Sequence, residues 1–316
     1  MAKGTGCSGT TGCSRLSTKT KNQMMRWQRR LVLFKYRYIL FLFMDSFDLD
    51  GHTLLRGDAL KILKNIPDKS VNLIFVDPPY NIGKNFNGYK DKWESDDKYL
   101  NWCYEWIDLC IDKLKDNGSM YLMGATQFIP FFDIYLRKKM HVLSRIVWHY
   151  DSSGVQAKKY YGSLYEPILF AVKNKNNYVF NAKEILVEAK TGAKRKLIDY
   201  RKTVPTVYNS VKVPGNVWYM PRVRFKMPEY EEHPSQKPES LLNRIILAST
   251  NPKDLILDPF SGTFTTSAVA MKLDRKSIGI ELDDDYFNEG IRRLKETNQE
   301  IKKSKLQINL GVFQNA

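Results

Sequence analysis

Asp77-Pro78-Pro79-Tyr80 follows a short apolar run, Asn72 to Val76. It brings together a carboxylate, a rigidly held carbonyl and a flat aromatic face. That set suits chemistry on the exocyclic amine of a nucleobase, which is a poor nucleophile because its lone pair is delocalised into the ring. Two acceptors that hold both N–H bonds let the nitrogen rehybridise and aim its lone pair at a methyl donor. The Asp77 carboxylate and the Pro78 carbonyl can be those acceptors. Pro78 and Pro79 stiffen the turn and remove competing N–H donors. Tyr80 offers a face on which a base taken out of a duplex can stack. Catalysis would then be largely positioning for an in-line displacement. The plainer alternative is a strand-ending turn, which Asp-Pro alone often makes; the full tetrapeptide directly after a buried strand outweighs it.

A second acidic turn follows another apolar strand: Asp258-Pro259-Phe260-Ser261-Gly262-Thr263-Phe264-Thr265-Thr266. Strand-to-helix junctions in open α/β sheets commonly hold adenosine-type cofactors. Asp258 can accept from the ammonium of a methionine moiety, Phe260 can pack on the cofactor, and Gly262, Thr265 and Thr266 shape the turn and helix start. Glu281 ends the next strand, 19 residues after Gly262, about the spacing at which an acid reaches ribose hydroxyls. Its alternative is a surface carboxylate at a strand end.

Strands and helices must alternate to present these turns. Residues 72–76 read as a buried parallel strand stopped by proline. Leu100, Cys103, Ile107, Cys110, Ile111 and Leu114 recur at helical spacing, and Asn117-Gly118 is expected to close that helix. Strands are expected at Ser119–Met123 and Arg145–His149. After a middle stretch with only short β-like runs (Ile168–Val172, Tyr178–Phe180), the rhythm returns: helix 239–249, strand 255–257, a helix from about Thr265, strand 277–280 and helix 286–296. Alternation of this kind predicts an α/β sheet with crossover helices. The expected organisation is a basic extension (1–43), a catalytic half (44–149), an inserted lobe (150–232), a cofactor half (233–298) and a basic tail that frays (299–316).

The apolar fraction of 43% and aromatic fraction of 13% exclude a disordered chain. Net charge is +16, but residues 1–43 hold nine Lys or Arg and no acid, so the remainder carries +7. A polyanionic partner suits that balance. The segment Leu31–Met44 is too short and too charged to span a membrane, and residues 1–43 read as a non-native or over-extended start, with the working protein beginning near Met44. Cys7, Cys13, Cys103 and Cys110 form neither a disulfide ladder nor a zinc knuckle, which fits a reducing cytoplasm. No His, Cys or Asp spacing suggests a metal, and His149 beside Trp148 reads as structural.

In the lobe, Lys158, Lys159, Arg195, Arg201, Arg222 and Arg224 are the candidates for gripping nucleic-acid phosphates, interleaved with Tyr160, Tyr161, Tyr165, Tyr200 and Tyr208. A solvated basic surface is the competing reading for each cation. The loop Asp151-Ser152-Ser153-Gly154 is placed to border a base pocket.

Asp77-Pro78-Pro79-Tyr80, the Asp-Pro-Phe-x-Gly turn at 258–262 and His233-Pro234-Ser235-Gln236-Lys237-Pro238 between them together resemble the β-class of amino-methyltransferases acting on DNA. The stretches 77–86, 150–159, 213–218 and 256–266 are most similar to the YhdJ type of stand-alone bacterial adenine methyltransferase. The resemblance spans nearly all of Leu54 to Leu294. It implies a Rossmann-like class I methyltransferase sheet, circularly permuted, with an inserted target-recognition lobe. It also implies S-adenosylmethionine as cofactor and N6 of a flipped adenine in duplex DNA as target, because Asp rather than Ser heads the Pro-Pro-Tyr element. By position, Asp77, Pro78, Pro79 and Tyr80 would be catalytic, and Asp77 would also border the cofactor. Asp258, Phe260, Gly262, Thr265, Thr266 and Glu281 would hold the cofactor, Lys237 would lie near its carboxylate, and Asp58 with Ala59 near its adenine. Phe264 departs from the general pattern, which has a second glycine there. Double-stranded DNA is the expected partner, in the bacterial cytoplasm at the nucleoid; a homodimer stays open and no membrane partner is expected. An RNA or protein methyltransferase is the runner-up, but those usually place the cofactor loop ahead of the Pro-Pro-Tyr element. A DNA-binding module with a decayed cofactor site is a further alternative, against which Asp77, Lys237, Asp258 and Glu281 all stand.

Overall fold

Six consecutive buried residues, Val71–Val76, form the strand from which the Asp77 turn hangs. The computed structural model describes residues 45–150, 158–190 and 195–314, so the expectations for residues 1–43 and for the 151–154 loop fall outside the described residues. One nine-stranded sheet organises the rest. Its strands are β1 (Ser46–Leu49), β2 (His52–Arg56), β3 (Val71–Val76), β4 (Leu114–Met123), β5 (His141–His149), β6 (Tyr165–Val172), β7 (Val217–Tyr219), β8 (Leu255–Asp258) and β9 (Lys276–Glu281). Their order across the sheet is β1-β2-β9-β8-β3-β4-β6-β5-β7.

The five neighbours β2, β9, β8, β3 and β4 run parallel. The turns that follow β2, β9, β8 and β3 therefore open on one edge of the sheet. β6 pairs antiparallel with β4 and β5. The α-helices among the described residues are α1 (Ala59–Leu63), α2 (Asp96–Lys113), α3 (Ile129–Arg137), α4 (Glu239–Ser249), α5 (Thr265–Lys272) and α6 (Asp284–Gln314). Ser95 caps α2 by accepting from Lys98 N at 3.2 Å, with Asp96 and Asp97 in its positive first turn. Phe75, Tyr121, Phe170 and Trp148 pack with Leu242 and Ile246 of α4 in one core cluster. Cys103 and Cys110 are buried free thiols, and burial pushes the Cys103 thiol up to about 12.

Four expectations are corrected. Helix α2 stops at Lys113, and Asn117-Gly118 lies inside β4, at an irregularity in its pairing with β3. A Cβ at Gly118 would come within 2.8 Å of Leu114 and 3.0 Å of the Lys115 carbonyl, so the glycine serves a close approach. The run 168–172 belongs to β6, in the middle of the main sheet, and Val217–Tyr219 is its edge strand; residues 150–232 are not one separate lobe. Tyr178–Phe180 is not a strand. The tail does not fray at Gln299: α6 runs to Gln314, and Phe287, Ile291, Leu294 and Ile301 carry its apolar stripe past Gln299 onto Leu54 and Phe264.

Candidate active site

The parallel edge opens into a cleft of about 940 Å³. Every residue singled out for catalysis or cofactor binding lines it: Asp58, Ala59, the Asp77–Tyr80 turn, Lys237, Asp258, Phe260, Gly262, Thr265, Thr266 and Glu281.

The Asp77 turn is fixed from behind. Tyr99 on α2 donates its hydroxyl to the Pro79 carbonyl at 2.7 Å, whereas no described residue donates to the Pro78 carbonyl. Asp91, buried, accepts from Tyr80 N at 3.0 Å and from Lys84 N. Asp77 accepts from the Tyr80 hydroxyl at Oδ1 (2.6 Å) and from Lys237 Nζ at Oδ2 (2.5 Å). Burial lifts the Asp77 carboxyl above its ordinary value despite the pull of Lys237. Burial alone would depress the Lys237 ammonium, yet Asp77 and Glu166 carry it above the usual lysine value. Lys237 was expected beside a cofactor carboxylate; here it is held on Asp77, with its side chain only 6% exposed.

At the end of β8, Asp258 accepts from Phe260 N at 3.1 Å and from the Thr266 hydroxyl. Burial pushes its carboxyl up to about 7. Phe260 packs against Trp102 and Trp106, ring centroids 5.6 and 5.5 Å away. Glu281 accepts from Gly262 N at 2.7 Å and from Leu282 and Asp283 N at 2.9 Å. Its carboxyl is also pushed up to about 7 by burial. The carboxylate thus ties the β8 turn to the β9 turn. Asp58 caps α1 by accepting from Lys61 N at 3.0 Å, and Gly57 N donates to the Glu281 carbonyl at 2.8 Å. Phe264 takes the left-handed conformation, φ 56°, that a glycine would adopt freely.

Two lining residues went unread in the sequence as site groups. Glu166, near the start of β6, lies 3.1 Å from the Tyr80 hydroxyl and 3.5 Å from Lys237 Nζ and accepts from Tyr150 at 3.4 Å. The signal available was a carboxylate heading an otherwise apolar run. His233 accepts from Ser235 N at Nδ1 (3.2 Å), which places the proton of its neutral ring on Nε2; burial, with Lys237 and Lys84 adding to it, pulls its pKa down to about 3.

The six candidate DNA contacts are dispersed. Arg222 lines the cleft with its guanidinium 5.0 Å from the Tyr150 ring, and with Arg224 it borders an adjoining hollow of about 190 Å³. Lys158, Lys159 and Arg195 are exposed and are not among the residues that line the cleft. Arg201 is paired with Asp199 at 2.8 Å.

The sequence profile of the DNA methylase family matches residues 71–292. The chain belongs to the DNA methylase family. It is 59% identical over 245 residues to the DNA adenine methyltransferase YhdJ of Escherichia coli (strain K12), covering 78% of this chain and 83% of that protein. Among solved structures, the M1.HpyAVI–SAM complex matches with a TM-score of 0.50 and 28% identity, covering 76% of this chain and 98% of that one. The cytosine-N4-specific PvuII DNA methyltransferase matches with a TM-score of 0.61 over 79% of this chain and 89% of that one. At 17% identity, that likeness establishes the fold. The sheet is thus that of a Rossmann-like methyltransferase, with the methylase's Pro-Pro-Tyr turn ahead of its Asp258 turn in the chain.

Proposed function

We propose that this methylase transfers a methyl group from S-adenosylmethionine to N6 of an adenine extruded from duplex DNA, within a specific sequence. One observation carries the reading: the Asp77-Pro78-Pro79-Tyr80 turn and the Asp258 turn end adjacent parallel strands and open into one cleft. The residues present fit that cofactor. A buried carboxylate at Asp258 and another at Glu281 suit an ammonium and a ribose, and Phe260 offers an apolar face. Bound there, S-adenosylmethionine supplies an electrophilic methyl carbon on a cationic sulfur.

The chain's own part is grip and direction. Asp77 and the Pro78 carbonyl accept the two amine hydrogens, the nitrogen lone pair turns toward the methyl carbon, and Tyr80 supports the base. The methylated amine would pass one proton to solvent through the Asp77 carboxylate that holds it. The acid at position 77 suits adenine. Lys158, Lys159, Arg195, Arg201, Arg222 and Arg224 are proposed as phosphate contacts, with Arg222 nearest the chemistry.

The test is transfer of tritiated methyl from the cofactor to duplex DNA, to RNA and to protein, followed by nucleoside analysis. N6-methyladenine in DNA is expected. Label confined to RNA or protein, or recovered as N4-methylcytosine, would overturn the assignment.

A further inference from the structure

Asp77 must accept from an incoming amine, yet both of its oxygens already hold strong donors. Tyr80 donates to Oδ1 and the Lys237 ammonium sits on Oδ2. A charge-neutralised carboxylate is a weaker acceptor than a bare one. Both donors have a second acceptor within reach, and it is the same one. Glu166 Oε2 lies 3.1 Å from the Tyr80 hydroxyl and 3.5 Å from Lys237 Nζ. Tyr80 has a single hydroxyl proton, so it can serve Asp77 or Glu166 but not both. Lys237 has three, and moves between the two carboxylates by a rotation of its flexible end.

Glu166 is well placed to wait. It stands on β6, paired opposite Trp148 of β5, so its backbone is fixed by the sheet. Its Oε1 accepts from the Tyr150 hydroxyl at 3.4 Å. The charged groups around it are Asp77, Lys237, Lys84 on the loop after Tyr80, and Arg222 above Tyr150. Sequence pattern gives it no role in the Asp-Pro-Pro-Tyr grip, and structural pairing alone does not account for a part-buried carboxylate, 16% exposed, sharing both donors of another.

Resting on the adenine-methylation reading above, we propose that Glu166 is a positioning residue: as the target amine arrives, the Tyr80 hydroxyl and the Lys237 ammonium transfer their hydrogen bonds from Asp77 to Glu166, freeing Asp77 to accept from N6. No covalent bond changes in this step. The amine hydrogen replaces a hydroxyl hydrogen on Asp77, and the hydroxyl keeps its proton.

The experiment measures single-turnover methylation of plasmid DNA from a methylation-deficient host, together with cofactor affinity, for the parent, E166Q, Y80F and the double variant. E166Q keeps the shape but removes the charge that draws the donors away. Its single-turnover rate is expected to fall about a hundredfold, the scale of a misaligned reacting group, while cofactor affinity changes less than about threefold. In the E166Q background, Y80F removes one of the donors left competing on Asp77, so the double variant is expected to be faster than E166Q alone. A purely structural role would make the double variant slower still, and that result would overturn the proposal. So would an E166Q rate equal to the parent's. If E166Q loses cofactor binding and thermal stability together, E166D enters the same comparison. It keeps the charge at shorter reach, and must be slow alone and faster with Y80F. Parent protein that leaves that DNA unmethylated would instead sink the adenine-methylation reading.

Discussion

Phe264 precedes α5 in the left-handed conformation, where the family resemblance leads one to expect glycine. Its ring is fully buried among Leu54, Ala268, Met271, Phe287 and Leu294, and it fills the space left by two glycines. A Cβ at Gly279 would come within 2.6 Å of the ring and one at Gly290 within 2.1 Å. Its backbone is left-handed, φ 56°. Truncating a fully buried phenylalanine costs about 3–5 kcal/mol, and a side chain in the left-handed region carries roughly 1 kcal/mol of strain that glycine lacks. F264A therefore loses about 3–5 kcal/mol and keeps the strain, while F264G loses the ring but sheds the strain, for a net loss of about 2–4 kcal/mol. At about 2–4 °C per kcal/mol, F264A should lower Tm by roughly 10 °C and F264G by about 3 °C less. That ranking reverses the usual helix order, in which glycine is the worse residue. Differential scanning calorimetry of both variants decides it, and F264A melting at or above F264G would refute the reasoning. G290A supplies the complement: its methyl has no room beside the ring, so it should destabilise the parent more than it destabilises F264G.

D77A is expected to lower methyl transfer by about a thousandfold or more while cofactor affinity survives in part, read by tritium transfer and by isothermal titration. Asp258 and Glu281, with carboxyls raised from the ordinary 3.8 and 4.5 to about 7, make the ligand-free protein lose stability as pH rises from about 4 through 7, because over that window the folded chain keeps protons the unfolded chain has released. Cofactor contacts to their ionised forms should then tighten binding as pH rises from 6 to 8, with net proton release detectable in buffers of different ionisation enthalpy; binding without proton release at pH 6.5 would contradict this. R222A should weaken DNA binding and reduce the slope of log affinity against log salt by about one, measured by fluorescence anisotropy. Deleting residues 1–43 should leave methyl transfer unchanged, since every proposed site residue lies within the compact unit Asp45–Ala316; an inactive truncation would show that the extension takes part.

The two acidic turns are legible as local patterns, whereas the middle of the sheet is not. Asp77-Pro78-Pro79-Tyr80 and Asp258–Thr266 are local patterns whose meaning comes from residue type and spacing, and the structure brings both to one cleft. β6 looks like a minor run in the sequence because the sheet neighbours that make it central lie far away: Leu169 opposes Leu122 on one side and Arg145 on the other. Glu166 was missed for the same reason, since its partners Tyr80 and Lys237 are 86 and 71 positions distant. Helix α6 was legible beyond Gln299. Ile291, Leu294 and Ile301 keep one face, and the density of lysine obscured a stripe that the Asn298–Asp50 hydrogen bond of 2.8 Å helps hold down.

The order of strands across the sheet accounts for why two halves of the chain, swapped relative to one another, still build one site. β2, β9, β8 and β3 are neighbours in that order, and adjacent strands lie about 4.8 Å apart. The turn after β2 and the turn after β3 are thus separated by three spacings, about 14 Å, the reach of an extended nucleoside joined to an amino acid. Asp58, Glu281, Asp258 and Asp77 follow these four strands in the same sequence. In the proposed reading they meet base, ribose, amino-acid end and methyl acceptor in turn. Chain connectivity has no bearing on that series, because each strand ends at the same edge whichever half is made first. What cannot be permuted is the stitching between turns: Gly57 N on the Glu281 carbonyl and Gly262 N on its carboxylate. Glu281 is therefore both a candidate ligand group and the clamp that sets its two neighbours' geometry. E281Q alters only the carboxylate that ties down Gly262 N, because the Gly57 bond is to the backbone carbonyl, so cofactor affinity measured by isothermal titration should fall through the ribose and methionine end, while changes at Asp58 should stay local to the adenine end.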